Sequence, residues 1–79
     1  MGSQLMKAFT IPQLAGMIRK DWDNINANIE PYLVAMEQFD DAKDNKEVIV
    51  LHFLCNAIAW RGNLAETIKK ELNRRVMET

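Results

Sequence analysis

His52 and Cys55 lie three residues apart, so a helix carries both on one face. Both side chains can bind a metal. A structural zinc site needs four ligands, normally Cys and His. The chain has one Cys and one His in total, and no carboxylate lies close to them in sequence. The missing ligands decide against a metal. A Cys55 nucleophile with His52 as base would need a groove that admits substrate. Cys55 instead falls in the most apolar stretch of the chain, where burial would leave a thiol inert. The expectation is that both are core or core-edge residues, with His52 hydrogen-bonded.

Paired carboxylates occur at Asp21/Asp23 and at Asp40/Asp41. Residues two apart do not face each other on a helix. Acid–base work needs one carboxyl raised by burial, and neither pair has an apolar setting. Asp40, Asp44 and Glu47 do not have calcium-loop spacing. The three glycines, Gly2, Gly16 and Gly62, form no phosphate-binding loop. No catalytic residue, metal or cofactor is assigned, and an enzyme is not expected.

Charge distribution says more than any motif. Residues 30–47 hold six acids against Lys43 and Lys46, a net of -4. Residues 61–75 hold Arg61, Lys69, Lys70, Arg74 and Arg75 against Glu66 and Glu71, a net of +3. A basic C-terminal helix suits its own negative dipole end, and Glu66 with Lys70 and Glu71 with Arg74 or Arg75 can form helical surface pairs. It can also face an acidic partner. A short break at 61–63 ahead of that helix suggests a helix-turn-helix, with Asn63, Thr67, Lys70 and Arg74 along one edge. Against it stand the intervening glutamates and a formal net charge of -1. Nucleic-acid binding is therefore the alternative reading, and a protein partner the preferred one.

The elements that must position these residues are helical. Thr10 caps a first helix with Pro12 in its first turn. Ile11, Leu14, Ile18, Trp22, Ile25 and Ile29 then follow a helical period. That helix should weaken near residues 26–28. A second begins at Asn28 or Glu30, with Pro31 in its first turn and a stripe of Tyr32, Leu33, Met36 and Phe39. A polar loop over 40–46 follows, with Asp44 or Asn45 as the next cap. Residues 48–60 contain only His52 and Asn56 as polar residues. That length is too short to cross a bilayer, so a central buried helix over 47–60 is expected. Gly62 breaks the chain, and a final helix runs over 64–77. The alternative keeps one long helix kinked at Gly62, because Leu51, Leu54, Ile58, Ala65, Ile68 and Leu72 nearly hold a heptad register.

The expected fold is thus all-α, a bundle of four short helices, or three with a long last one. Residues 1–9 are read as a flexible end and 10–79 as one domain. A signal-peptide layout is missing, and Met6 fails the myristoylation pattern. A single thiol fits the cytoplasm.

A helix apolar all round must be covered all round. If three short neighbours cannot do that, the bare part is an interface. The 79 residues are 48% apolar and 27% charged, ordinary values for one small globular domain. The expected function is a non-enzymatic protein-interaction or regulatory module, with a homodimer as one form. The partner-binding candidates are Trp60, Arg61, Lys70 and Arg74. Trp22 is read as a core plug. Met17, Met36 and Met77 would suit either a core gap or an adaptable contact.

Overall fold

Thr10 starts the first helix by the mechanism its sequence suggests. Its Oγ1 accepts from the Gln13 amide at 3.2 Å, and the Gln13 side chain accepts from the Thr10 amide at 2.8 Å. These and all other coordinates come from a computed structural model that describes residues 8–40 and 42–77. The expectation of a flexible end falls largely on residues 1–7, outside the described residues. Phe9 packs half-buried against the core.

Four helices are present among the described residues: α1 Ile11–Asp21, α2 Glu30–Glu37, α3 Lys46–Asn56 and α4 Asn63–Met77. The fold is all-helical, as expected. Helix α1 packs on α2, α2 on α3, α3 on α4, and α4 back on α1. The helices therefore form a ring, and each touches two neighbours.

Helix α1 stops well short of residue 26. Trp22 takes an extended conformation (φ −94°, ψ 104°) and drops into the core. Burying that indole outweighs continuing a helix whose next residues are Asp23 and Asn24. Asn26 then builds the entry to α2. Its Oδ1 accepts from the Asn28 and Ile29 amides at 2.8 and 3.2 Å. Pro31 sits in the first turn of α2, where its lack of an amide proton costs nothing. Leu33 and Met36 are fully buried, and Tyr32 and Phe39 flank them.

Asn45 caps α3, its Oδ1 accepting from the Val48 amide at 3.3 Å. Here the structure corrects the sequence reading. The helix ends at Asn56 rather than residue 60, and within it only Val50 and Phe53 are buried. Touching only α2 and α4, α3 has no neighbour for its outer side. The expected all-round burial fails for want of covering elements.

Residues 57–62 separate α3 from α4, which excludes one continuous helix. Gly62 has φ 125°, a conformation open in practice only to glycine. A Cβ added there would meet nothing within 4 Å. Gly62→Ala should therefore cost about 1–3 kcal/mol from backbone strain alone. A thermal midpoint lowered by about 5 °C or more is the expected result, and an unchanged midpoint would refute the account.

Helix α4 buries Ala65, Ile68, Leu72 and Val76, close to the expected stripe. It also buries Glu71, which is 1% exposed. That carboxylate accepts from Arg74 Nε at 3.0 Å and from Arg75 Nε at 2.5 Å. The sequence suggests these pairs as surface contacts, whereas the structure places their acid inside.

Candidate interaction surface

The four partner-binding candidates Trp60, Arg61, Lys70 and Arg74 differ in exposure. Trp60 is 2% exposed and lies in the core. Its ring stacks on Trp22 with centroids 5.9 Å apart and an interplanar angle of 13°. Its Nε1 donates to Asp21 Oδ2 at 2.9 Å, which satisfies the buried indole. Trp60 is thus corrected from a partner anchor to the polar-tipped plug of the aromatic core. The Asp21 carboxylate that makes this work is 39 residues away. No local pattern announces it.

Arg61 and Lys70 are exposed. Arg74 is half-buried and donates to Glu71. Arg75 serves the same carboxylate. Lys69 reaches back to the turn, donating to the carbonyls of Ala57 at 2.6 Å and Trp60 at 2.5 Å. Its ammonium also lies 5.7 Å from the Trp60 ring centroid. Burial pushes the Lys69 pKa below the ordinary lysine value. The basic helix is therefore largely used in holding the fold together.

The acidic middle is reduced in the same way. Arg19 donates to both Glu37 oxygens, at 2.8 and 3.0 Å, and to Glu30 at 2.5 Å. This fork ties α1 to α2. Its hydrogen bond holds the Glu37 carboxyl below the usual range. Much of the charge asymmetry visible in sequence is consumed by contacts inside the domain.

His52 and Cys55 are exposed, which corrects their expected core placement. His52 Nδ1 donates to the Val48 carbonyl at 2.7 Å, and the ring lies parallel to Tyr32 at 5.3 Å. Among the described residues, no three His, Cys, Asp or Glu side chains gather where they could hold a metal ion.

Several apolar side chains of α3 and the turn after it also remain exposed. Val48 is 49% exposed, Leu51 42% and Ile58 69%. Val48, Leu51 and Cys55 recur at i, i+3 and i+7 and so form one strip along the outside of α3. The strip opens onto a shallow groove between two helices. Leu51, Leu54 and Cys55 line its α3 side, and Lys69, Lys70 and Asn73 its α4 side. Lys70 is the one earlier candidate that borders this surface.

Comparison with known protein families, with curated proteins and with solved structures returned no match.

The surface was hard to find from sequence for a simple reason. Residues 50, 53 and 57 make an apolar stripe, and residues 48, 51 and 55 make another. Both have helical spacing, and nothing local says which one faces the core.

Proposed function

We propose that this protein is a small non-enzymatic interaction module that docks a larger protein through the outer strip of α3 and the groove beside α4. The observation that supports this is the solvent-exposed line of Val48, Leu51 and Cys55 along α3. A rigid helical face of this kind suits helix-in-groove or helix-on-surface recognition. Lys70 at its border would add orientation by charge.

No helix among the described residues is long and apolar enough to cross a membrane. An exposed free thiol at Cys55 suits a reducing compartment, and the proposal places the module in the cytoplasm. The nucleic-acid alternative gains nothing from the geometry. Arg74 and Arg75 serve Glu71, Lys69 serves two carbonyls, and the break before α4 spans residues 57–62 rather than a tight turn.

The test is Leu51→Glu. Leu51 is 42% exposed, so the change should barely alter stability, which circular dichroism would verify. Affinity for a protein captured from native cells by the wild-type chain should fall about tenfold or more. Equal capture by the folded variant would sink the proposal.

A further inference from the structure

The groove between α3 and α4 has two unlike walls. Leu51, Leu54 and Cys55 make the α3 wall apolar. Lys69, Lys70 and Asn73 make the α4 wall polar and basic, and no carboxylate lines the groove among the described residues. Lys69 donates to the Ala57 and Trp60 carbonyls. Those acceptors are neutral, so they leave its charge uncancelled. Lys70 is exposed and forms no ion pair with a described carboxylate. Burial chiefly depresses the Lys69 pKa, repulsion from Arg61 adds to the effect and Glu66 opposes it, so both of these charges lie near the α4 wall. Arg61, Lys69 and Lys70 against Glu66 leave a local net of +2. Glu47 borders the adjoining hollow with Val48 and His52 and already interacts within the chain.

We infer that the segment of the larger protein that seats in this groove is an amphipathic helix whose apolar stripe is bordered by Asp or Glu. The inference rests on the reading of the α3 strip as a docking surface, and it names the chemistry of the segment that docks. A trough between two helices with one apolar wall takes a helix. Helix α3 has eleven residues and is about 16 Å long, so the partner contributes about three turns. Its anchors at i, i+3 or i+4, and i+7 pack against Leu51, Leu54 and Cys55. An acid on the flank toward α4 then faces Lys70. A basic helix would be repelled by the α4 wall, and a neutral one would lose the charge that steers and orients it. A nucleic acid brings the same negative charge, but no aromatic ring lines the groove for its bases to stack on.

The probe is a displayed library of helical peptides about four turns long, randomised over the helix surface and selected on the full chain. Retained peptides should share an apolar stripe at helical spacing with at least one Asp or Glu beside it. Two variants read the two walls separately. Leu51→Gln removes apolar contact without adding charge, and Lys70→Glu reverses a charge on an exposed side chain. Circular dichroism verifies that both fold. Selected peptides should bind Leu51→Gln about tenfold or more weakly. They should bind Lys70→Glu about fivefold more weakly at low salt, and the difference should fade at about 1 M salt, where charges are screened within about 3 Å. Selection repeated on Lys70→Glu should exchange the acids for Lys or Arg. Cys55 is exposed, is the chain's one thiol and lines the groove, so saturating peptide should slow its alkylation by a maleimide.

Peptides without an acidic bias, or binding that Lys70→Glu leaves unchanged at low salt, overturn the inference. If Leu51→Gln still abolishes that binding, the docking strip stands without it. Binding that survives in Leu51→Gln, or a Cys55 that alkylates at full rate under saturating peptide, puts the contact elsewhere and overturns the strip together with the inference. A selection that yields no binder sensitive to either variant overturns the inference as well. A random-sequence DNA duplex that displaces the selected peptides and protects Cys55 assigns the groove to nucleic acid and overturns both.

Discussion

Phe53→Ala is expected to cost about 3–5 kcal/mol and to remove most of the stability of the domain. Phe53 is fully buried and is the largest fully buried side chain of the core. Its ring meets Trp22 edge-on at 6.5 Å and 78°, and Trp60 at 6.3 Å and 68°. The two indoles stack on each other. Three rings from three parts of the chain thus form one cluster. Truncation leaves a cavity that two rigid indoles cannot fill, and it removes two aromatic pairs worth about 0.5–1.5 kcal/mol each beyond burial. A domain of 79 residues has a total stability of about 4–12 kcal/mol. Urea unfolding followed by tryptophan fluorescence should show a sharply lowered midpoint or no cooperative transition. A loss below about 1.5 kcal/mol would mean that the cluster is not the keystone described.

Glu71→Ala should cost about 2 kcal/mol. Removing one partner of a buried ion pair costs about 3–5 kcal/mol when the other charge stays buried. Here the Arg74 and Arg75 side chains are 30% and 13% exposed, so both can turn toward water. The loss is therefore smaller than the fully buried case. The same residue predicts a pH dependence. Hydrogen bonds from Arg74, and next from Arg75, hold the Glu71 carboxyl below its ordinary value of 4.5, although burial opposes them. A depressed folded pKa adds stability that is fully present above the unfolded value. That stability is lost as pH falls below 4.5 and through the folded value. Glu37 contributes in the same direction through Arg19, but from a solvent-screened pair. Glu71→Gln should flatten the acid limb of the stability profile. Unaltered acid sensitivity in that variant would place its cause elsewhere.

The local half of the fold was legible because its signals are local. Thr10, Pro12, Pro31, Asn45 and Gly62 each act on backbone within a few residues. The stripes of α1 and α4 were readable because each has a polar side to contrast with. Helix α3 has almost no such contrast. Its two apolar stripes are indistinguishable until α2 and α4 cover one of them. For that reason Cys55 and His52 were expected inside, and both lie outside.

The candidate site divides along the same line. Lys70 and the presence of excess apolar surface near residues 48–60 follow from composition along the chain. Trp60 does not behave as its position at a chain break suggests, because Asp21 and Trp22 arrive from the far end of α1 to satisfy and stack it. Arg74 is likewise drawn inward by Glu71. Side chains that looked available for a partner were already engaged.

The sequence by itself determined that the chain is helical, roughly where the helices begin, and that no cysteine pair could staple it. Tertiary structure decided how far α1 and α3 run, which stripe of α3 is buried, and which charges stay at the surface. The physical reason is the range of the interactions. Caps and turns form between neighbours in sequence, where residue type settles the outcome. Burial and ion pairing depend on which distant element arrives, and in a ring of four helices α3 receives only two neighbours.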